Sequence, residues 1–474
     1  MKRCLVWFRR DLRLDDNSAL AAAVDSGAEV LPLYLHGENQ ATQLSEGGAS
    51  SWWLHHALED LDAQMKLLGG ELHMVKAKNL EVALMEVINN FDIECVFWNR
   101  RYQPAAIDLD KEIKSQLQKA GIEVKSFNAS VLNEPHEIRN LSGNPYQVFT
   151  PYWKKCRDIA VDEPIDRNLA DVKWVGGNKT RLMDLNLLPQ IDWDQGFYKF
   201  WDPTRAGAMA RLKSFSKKAA YEYNDARDMM AEDGTSTLSP YLHFGQIGVR
   251  EIYHHLKGGG EQVMHGYIRQ LYWRDFAHHL IYHFPHSVQR SLRPEYDQFP
   301  WKNDEEFLSR WQKGQTGYPV IDAAMRQLWQ TGWMHNRARM VVGSFLVKHL
   351  LQDWQSGADW FWDTLVDADL PNNTMGWQWV AGSGADAAPY FRVFNPLLQA
   401  KKFDKQGEYV RKYVPELAKI PGKAVHEPWE LSEIELLAYG VTLGKEYPER
   451  MIGLSEGRDQ ALKAYSDFKE LTKA

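Results

Sequence analysis

The chain has 474 residues, a net charge of −7, 44% hydrophobic residues and 25% charged residues, a composition typical of a globular protein. That length exceeds one ordinary hydrophobic core, so two or three domains are expected, and the acidic total weakens the case for nucleic-acid binding unless a local basic groove is present. No apolar run approaches the roughly 18 residues of a membrane span, and Arg9 and Arg10 interrupt the apolar start too early for a signal peptide.

The first 131 residues alternate apolar runs with helical patterns. The runs predict buried strands at Cys4–Phe8, Val30–Leu35, Leu72–Val75, Cys95–Trp98 and Val124–Phe127. The helical patterns lie at Asn17–Asp25, Ser51–Leu68, Leu80–Asn90 and Ala105–Ala120. Continuous apolar strands separated by helices predict an α/β domain with a doubly wound, Rossmann-like parallel sheet, which binds ligands at the carboxyl ends of its strands. The first strand is followed by no glycine-rich dinucleotide motif, so a dinucleotide on this sheet is not indicated.

Residues 132–201 are rich in Pro, Gly, Asn and Asp, show little periodicity and predict a long surface connector. From residue 202 to 474 strand patterns cease, which predicts an all-α domain containing most of the 19 tryptophans. Its clearest helical patterns are Ala206–Ala219, Val249–Leu256, Val263–Phe284, Val320–Thr331, Asn336–Gln352 and Asp359–Val366.

Two helical patterns carry faces of mixed chemistry. Gln270, Trp273 and Arg274 lie at i, i+3 and i+4 and share one face, as do Asn336 and Met340 at i and i+4. Such faces are neither a clean apolar stripe nor a solvated one, and together they predict a pocket for a flat molecule with polar edges. Taken alone, Trp273 is more typical of a core residue.

The hydroxyl-rich segment 235–239 precedes a helix and suits a phosphate group, although a series of helix caps and a turn is the alternative. Asp367 and Asp369 stand at i and i+2, a spacing that does not place two carboxylates on one helical face. They are predicted to accept hydrogen bonds from a ligand or to cap the next helix, and acid–base catalysis is the less favoured reading.

Three widely spaced cysteines, Cys4, Cys95 and Cys156, form neither a disulfide framework nor a metal-binding pattern. A reducing cytoplasm is therefore expected. The acids and histidines also lack ligand spacing, so no metal site is predicted.

Taken in order, these motifs closely resemble the photolyase/cryptochrome flavoprotein family, and most closely its class I cyclobutane pyrimidine dimer photolyases. The matching segments span nearly the whole chain: 7–17, 235–240, 273–276, 316–326, 332–340, 367–369, 377–379 and 394–396. The resemblance implies an α/β antenna domain over 1–131, a connector over 132–201 and a helical FAD-binding domain over 202–474.

The resemblance further implies a U-shaped FAD within the helical domain. The residues matching positions that hold or adjoin this cofactor are Tyr223, Thr235, Ser236, Thr237, Leu238, Ser239, Asn336, Asp367, Ala368 and Asp369. Asn373 matches the position facing the flavin nitrogen that takes up a proton, where photolyases carry Asn and plant cryptochromes Asp. An electron relay from flavin to surface is implied through Trp377, Trp354 and Trp301.

The implied activity is light-driven repair of DNA, in which an electron from excited, reduced FAD splits a pyrimidine dimer flipped out of the duplex. The positions matching those that face DNA are Arg227, Gln270, Trp273, Arg274, Arg337, Met340, Trp379, Arg392 and Gln399. Ultraviolet-damaged DNA is the expected partner, and a monomer without membrane attachment is expected.

One position departs from the dimer-repair pattern. Gln270 stands where these photolyases usually carry Glu, and Gln is familiar there from (6-4) photolyases and animal cryptochromes. Those relatives show a His-His pair where this chain has His335-Asn336, the dimer-repair pattern. The dimer substrate is therefore favoured, and (6-4) repair is the alternative.

Two further alternatives remain. A cryptochrome-type light receptor would show a long polar tail, whereas helical patterns follow Pro428, at Leu431–Tyr439 and Arg458–Thr472. A nucleotide-binding α/β protein would explain only the first 131 residues.

The family commonly holds a second, light-harvesting pigment near the N-terminal domain, either methenyltetrahydrofolate or 8-hydroxy-5-deazaflavin. The sequence decides neither its presence nor its identity. Trp52, Trp53, Trp98 and Tyr102 are candidates to line such a site, and core or interdomain packing is the alternative.

Overall fold

The computed structural model describes residues 2–37, 45–176, 180–387, 389 and 392–472. Its N-terminal part is a parallel sheet of five strands, in the order β3-β2-β1-β4-β5 within the described chain. The strands are β1 (Arg3–Phe8), β2 (Glu29–Gly37), β3 (His73–Ala77), β4 (Cys95–Asn99) and β5 (Glu123–Phe127). The helices between them are α1 (Ser18–Asp25), α2 (Gly48–Leu67), α3 (Leu80–Asn90) and α4 (Pro104–Lys119). The predicted doubly wound sheet is confirmed, and its direction of winding reverses between β1 and β4.

The central strand explains why its sequence is apolar without interruption. Cys4, Val6 and Phe8 point into one hydrophobic cluster, whereas Leu5 and Trp7 point into another on the opposite face. Successive side chains of a strand alternate between faces, so a sheet covered on both sides needs apolar residues at every position.

The connector contains a buried helix that the sequence did not predict. Helix α5 (Phe149–Cys156) buries Phe149, Tyr152, Trp153 and Cys156, which follow the spacing of one helical face. Farther along, Trp174 forms a parallel bridge with Val30 of β2. The expectation of an irregular surface segment over 132–201 was therefore wrong here, because a single short amphipathic turn is easily hidden among Pro and Gly.

Helices make up the described C-terminal part, as predicted. They are α6 (Phe197–Phe200), α7 (Arg205–Lys217), α8 (Tyr223–Ala226), α9 (Ser239–His243), α10 (Val249–Leu256), α11 (Gly260–Val263), α12 (Arg269–His283), α13 (Glu305–Gln312), α14 (Pro319–Thr331), α15 (Asn336–Ser344), α16 (Trp354–Thr364), α17 (Leu370–Ala381), α18 (Pro396–Phe403), α19 (Glu408–Tyr413), α20 (Glu433–Tyr439) and α21 (Leu454–Leu471). Two π-helical turns, Met264–Ile268 and Phe345–His349, precede α12 and follow α15. Short 3-10 turns lie at Leu182–Leu185, Lys257–Gly259, Pro285–Val288, Pro294–Gln298, Pro415–Leu417, Gly422–His426 and Pro428–Glu430. Of the helices described, none combines the length and apolar character needed to cross a bilayer.

Helix α17 was not predicted, although its beginning carries a recognisable signal. Asp369 caps the helix by accepting a hydrogen bond from the backbone N–H of Asn372. Pro371 lies in the first turn, where a missing N–H costs no helical hydrogen bond. The residues that follow include Asn372, Asn373 and Gly376, whose low helix propensity is outweighed by packing against neighbouring helices.

The buried Asp275 ties α12 to the end of the N-terminal domain. Its Oδ2 accepts hydrogen bonds from the backbone N–H groups of Leu132 and Asn133, at 2.8 and 3.0 Å. Burial raises the pKa of Asp275 to about 7. The carboxyl therefore stays largely protonated in the folded protein at pH values where the unfolded chain has already released its proton.

This shift predicts a measurable pH dependence of stability. Because the pKa of this carboxyl is higher in the folded state, the free energy of unfolding should fall as pH rises from about 4 to about 7. The fall amounts to up to about 1.4 kcal/mol per pH unit. Asp275→Asn should flatten the fall in the free energy of unfolding over that range, because the amide retains an acceptor and does not titrate. Urea denaturation at pH 5, 6 and 7 measures it, with the exposed Asp184→Asn as the control. Equal slopes in wild type and Asp275→Asn would show that Asp275 does not titrate there.

Candidate functional site

Three helix faces of mixed chemistry meet within the helical domain. Helices α12 and α15 both pack against α17, and each of the three keeps one face only partly buried. The residues on these faces are Gln270, Trp273, Arg274, Asn336, Met340, Asn373, Gly376 and Trp379. A Cβ atom at Gly376 would meet no atom within 4 Å, so open space adjoins the middle of α17. The mixed faces that sequence spacing identified therefore belong to neighbouring helices around this space.

The two acids before α17 are both held by the protein. Arg339 donates from Nη2 to both carboxylate oxygens of Asp367, at 3.0 and 2.9 Å. Asp369 caps α17, and its Oδ1 lies 3.6 Å from Nδ1 of His243. Burial by itself would raise the pKa of Asp369, but the neighbouring His243, His278 and Arg274 hold it below its ordinary value. The predicted capping role is thus observed, and Ala368 between the two acids is buried.

The hydroxyl segment borders a cavity of about 390 Å³. Its Thr237 has a left-handed backbone (φ 50°), and the Thr237 hydroxyl accepts a hydrogen bond of 2.6 Å from Arg211. The side chains lining this cavity include Arg211, Lys218, Glu222, Glu232, Asp233 and residues Thr235, Ser236 and Thr237. Positive groups beside hydroxyls suit a phosphate, and three acids also line this cavity.

Part of the hydroxyl segment serves the local turn, as the alternative reading expected. The Ser236 hydroxyl accepts a hydrogen bond from the Leu238 N–H at 3.3 Å and lies 2.8 Å from the hydroxyl of Tyr267. Tyr267 packs edge-on against Tyr223, with ring centroids 5.3 Å apart. Tyr223 is thereby joined to the segment, whereas Ser239 is exposed at the start of α9.

The three relay tryptophans lie on adjoining segments. Trp377 is buried, and its ring packs so closely on α16 that a Cβ at Gly357 would lie 2.1 Å from it. Trp354 is the first residue of that same helix. The N–H of Lys302, next to Trp301, donates to the Leu351 carbonyl at 2.7 Å, three residues before Trp354. Trp377 and Trp354 are buried, whereas Trp301 is partly exposed.

A fourth tryptophan, which sequence reasoning did not single out, contacts the first member of this series. The ring of Trp311 lies 6.1 Å from that of Trp377 and is fully buried. Phe361 contacts Trp377 as well, at 4.9 Å. No signal in the sequence distinguishes Trp311, because its contact with Trp377 is a tertiary contact between helices α13 and α17.

Trp273 has one face covered by the connector helix. The Phe149 ring stacks on it with centroids 3.6 Å apart and planes 11° from parallel. The guanidinium of Arg269 lies 5.3 Å from the centre of the Phe149 ring. Only the opposite face of Trp273 remains for a ligand, and the sequence contains no pattern that marks Phe149 as its partner.

Two of the residues predicted to face DNA interact with the protein itself. Arg274 donates to the carbonyl of Ser130 in the N-terminal part. Gln270 donates from its amide to the carbonyl of Gly266 at 3.2 Å, in the π-helical turn that precedes α12. Arg274 therefore has one guanidinium donor engaged with the N-terminal part, and Gln270 uses its amide N–H for a local contact.

The other predicted DNA-facing residues fall into small groups. Arg227 and Arg337 share the carboxylate of Asp228, which lies 2.7 Å from Arg337. The ring centroids of Trp379 and Phe394 lie 6.4 Å apart, and the Arg392 guanidinium lies 5.9 Å from the centre of the Phe394 ring. Met340 contacts the Asn336 amide at 4.0 Å, and Gln399 lies partly buried in α18.

A second, larger cavity of about 500 Å³ lies at the carboxyl ends of β1, β2 and β3. Its lining includes Arg10, Tyr34, Glu46, Lys78 and Arg101. The candidate residues Trp52, Trp53, Trp98 and Tyr102 are buried and are not among its lining residues. Packing, the alternative given above, accounts for these four side chains.

One group of side chains in the described chain has the spacing of metal ligands. Nitrogen or oxygen atoms of His55, His56 and Glu59 all lie within 4.8 Å of one another. Aromatic rings flank His56, with Trp52 at 4.7 Å and Tyr198 at 5.6 Å. The sequence analysis predicted that no histidine has ligand spacing and so missed this group. The group depends on how the side chains are oriented along α2, which residue spacing alone does not show.

Comparison with known proteins places these features in one family. Residues 267–467 match the FAD binding domain of DNA photolyase, and residues 4–168 match the DNA photolyase family model. A deoxyribodipyrimidine photo-lyase of Agrobacterium fabrum is 43% identical, over 99% of this chain and 98% of its own length. The chain belongs to the photolyase/cryptochrome family.

Both branches of the photolyase/cryptochrome family are represented among the similar proteins. Cryptochrome-1 of Arabidopsis thaliana is 35% identical over 99% of this chain and 71% of its own length. A crystal structure described as a bacterial class III photolyase from Agrobacterium tumefaciens superimposes with a TM-score of 0.95 at 41% identity, covering 99% of this chain and 98% of that one. The α/β domain followed by a helical FAD-binding domain is thus the family architecture.

Proposed function

We propose that this photolyase-family enzyme uses light to split cyclobutane pyrimidine dimers in DNA. The main support is that helices α12, α15 and α17 each place a face of aromatic and polar side chains beside the same open space. That space combines apolar walls with a few polar groups, as pockets for flat ligands do. The full-length similarity to a protein named deoxyribodipyrimidine photo-lyase supports the same activity.

The side chains present fit a flavin adenine dinucleotide. Arg211, Lys218 and the hydroxyls of segment 235–239 suit the diphosphate, and the ionised Asp369 suits hydrogen-bond donors of a ligand. Bound FAD supplies one-electron chemistry driven by light. The chain holds and orients that cofactor through these groups, with Tyr223, Asn336, Asp367 and Ala368 assigned to the same site.

Asn373 is assigned to the proton-accepting side of the flavin. Its Nδ2 donates to the carbonyl of Ala358 at 2.9 Å, which fixes the orientation of the amide and turns its oxygen outward. An oriented amide oxygen can hold a hydrogen bond from an N–H group and, unlike an aspartate, carries no charge.

The proposed electron relay runs from Trp377 through Trp354 to Trp301. Its support is the direct packing of Trp377 on α16 and the backbone link between the segments of Trp354 and Trp301. Indole rings are readily oxidised, and short gaps favour transfer between them. Trp311 is a neighbour of Trp377 but lies fully buried, so it offers no exit to solvent.

DNA would approach over the face bearing Arg392 and the Arg227–Arg337 pair, with the flipped lesion stacked between Trp273 and Trp379. Phosphate contacts from arginines give salt-dependent affinity without a basic protein as a whole. Stacking of bases on indole rings contributes about 1–3 kcal/mol per base. We therefore propose these residues as the DNA-binding set, together with Arg274, Met340 and Gln399.

Gln270 offers a direct test of substrate preference. Gln270→Glu should tighten binding of cyclobutane-dimer DNA by about tenfold, because a thymine N–H donates a stronger hydrogen bond to a carboxylate, worth about 1.5–3 kcal/mol, than to an amide, worth about 0.5–1.5 kcal/mol. Fluorescence anisotropy with a lesion-bearing oligonucleotide measures the affinity. Gln262→Glu, an equal charge change at an exposed residue, is the control. Equal affinities for wild type and Gln270→Glu would remove this side chain from the lesion site.

Two repair assays separate the candidate functions. Light-driven repair of a cyclobutane-dimer oligonucleotide supports the proposal, and repair of only a (6-4) lesion would replace it with the alternative favoured by Gln270. Normal flavin photoreduction without repair of either lesion would indicate a cryptochrome-type receptor. The similarity to cryptochrome-1 is the reason to test this alternative. Assignment to class I stays a prediction, since a similar structure is that of a protein described as class III.

The N-terminal cavity is the proposed place for the light-harvesting pigment. It lies at the carboxyl ends of the strands, where ligands of doubly wound sheets bind, and it is lined by Arg10, Arg101 and Tyr34. Extraction and mass analysis of the bound chromophores distinguishes the folate from the deazaflavin.

The domain limits 1–131, 132–201 and 202–474 remain a proposal, as does a monomeric protein in the cytoplasm. The three cysteines of the chain are buried and free, which fits a reducing compartment. Sedimentation of the purified protein tests the monomer.

A further inference from the structure

His243 is a buried histidine placed between the two parts of the chain. It is the last residue of α9, and its side chain is only 3% exposed. Its Nδ1 lies 3.6 Å from Oδ1 of Asp369, slightly beyond hydrogen-bond distance. Neither ring nitrogen has a hydrogen-bond partner among the described residues. Buried polar atoms in this situation are uncommon and call for a specific explanation.

The N-terminal domain packs tightly beside this histidine. Gly245 has a left-handed backbone (φ 68°), and a Cβ there would lie 2.0 Å from the carbonyl oxygen of Arg10. The Arg10 guanidinium lies 4.6 Å from the ring centre of Phe244, the residue after His243. Only glycine permits this approach, so the contact holds Arg10 at a fixed position relative to the histidine.

Arg10 also belongs to the wall of the N-terminal cavity. It forms an ion pair with Glu46, and both side chains line that cavity. One guanidinium nitrogen of Arg10, Nη1, is buried without a hydrogen-bond partner in the described chain. The ion pair therefore lines the N-terminal cavity, and its Arg10 also packs on the ring of Phe244, the neighbour of His243.

The groups around His243 have opposite effects on its pKa. Burial and the positive Arg10 lower the pKa of His243, whereas Asp369 and Glu46 act in the opposite direction. On the other side of Asp369, His278 and Arg274 of α12 face the carboxylate. The net result is a neutral imidazole beside an ionised aspartate at neutral pH, so the imidazole can donate one N–H toward the carboxylate.

We propose that His243 is a positioning residue that orients Asp369 through the attraction between its Nδ1–H group and the carboxylate, 3.6 Å apart, and couples it to the Arg10–Glu46 pair of the N-terminal cavity. This inference rests on the proposed function, in which Asp369 faces FAD. A change in charge at the N-terminal cavity then reaches the flavin site through one side chain. The coupling operates in both directions, as thermodynamic linkage requires.

Two substitutions of His243 separate orientation from coupling. His243→Leu removes the N–H group that faces Asp369 and should raise the Kd for FAD about tenfold, because the carboxylate is no longer held in one orientation. His243→Asn keeps an N–H donor but cannot titrate, so it should retain FAD. His255→Gln, at an exposed histidine of α10, is the matched control and should leave the Kd unchanged.

The coupling is read from the midpoint potential of the bound flavin as a function of pH. A protonated His243 stabilises an added electron, so the wild-type potential should show an extra rise on acidification. Arg10→Gln removes the opposing positive charge and should move that rise to higher pH. In the His243→Asn background the rise should be absent, and Arg10→Gln should no longer change the profile.

Three results decide the matter. Equal effects of Arg10→Gln in both backgrounds would overturn the coupling, and an unchanged Kd and potential in His243→Leu would overturn the orienting role. If His243→Leu does not fold, the comparison of wild type with His243→Asn still decides. Wild-type protein that folds but binds no FAD would instead contradict the proposed function.

Discussion

Trp377→Phe is expected to slow photoreduction of the oxidised flavin about a hundredfold, equivalent to about 2.7 kcal/mol in activation free energy. Trp377 is the buried end of the proposed relay, and its ring rests directly on the helix that begins with Trp354. Phenylalanine fills much of the same space but is far harder to oxidise. The measurement is the decay of the oxidised flavin absorbance under blue light with an external reductant.

A matched control separates electron transfer from folding. Trp174→Phe makes the same change at a tryptophan whose Nε1 donates to the Leu68 carbonyl, within the N-terminal part of the fold. It should leave photoreduction unaltered. Trp377→Phe that has been reduced chemically should still repair DNA, because the relay only prepares the cofactor. Unimpaired photoreduction in Trp377→Phe would place the entry of electrons elsewhere, with the neighbouring Trp311 as the first residue to test.

Trp273→Ala is expected to weaken binding of cyclobutane-dimer DNA by about 1–3 kcal/mol, or about 5- to 150-fold in Kd. Its ring is already stacked on Phe149, which holds it in one orientation and leaves one face for a base. A preoriented ring loses little conformational freedom when the ligand binds. Binding titrations with damaged and undamaged duplexes of one sequence measure the effect.

Trp273→Phe is the matched substitution, since it retains an aromatic face and should lose much less affinity than Trp273→Ala. Phe149→Leu should give an intermediate loss by releasing the orientation of Trp273. Undamaged duplex, whose bases stay stacked inside the helix, should bind all three variants as it binds the wild type. A loss of equal size for both duplexes would mean that Trp273 contacts the DNA backbone rather than the lesion.

The parallel sheet could be predicted because its signal is local and strong. Each strand is a short apolar run bounded by helical patterns, and β1 is apolar at successive positions because both faces of the sheet are covered. The predicted strands agree with the observed ones to within about two residues, the usual uncertainty at the ends of elements.

Two of the helices that sequence reasoning missed show the limits of local patterns. Helix α17 contains Asn372, Asn373 and Gly376, so its composition favours a turn, and only contacts with α12, α15 and α16 stabilise it as a helix. Helix α5 offers a single apolar face among Pro and Gly. In both, tertiary packing outweighs propensity, although the Asp369 cap and Pro371 did mark the beginning of α17.

By itself the sequence determined the fold class and the family, and it predicted which side chains line the candidate site, because motifs and helical spacing record which side chains share a face. The tertiary structure decided their partners. Phe149 covers one face of Trp273, Arg339 holds Asp367, and His243 reaches Asp369, each pair being distant in the chain. Contacts of this kind arise when whole helices pack together, and no local pattern of residues encodes where one helix meets another.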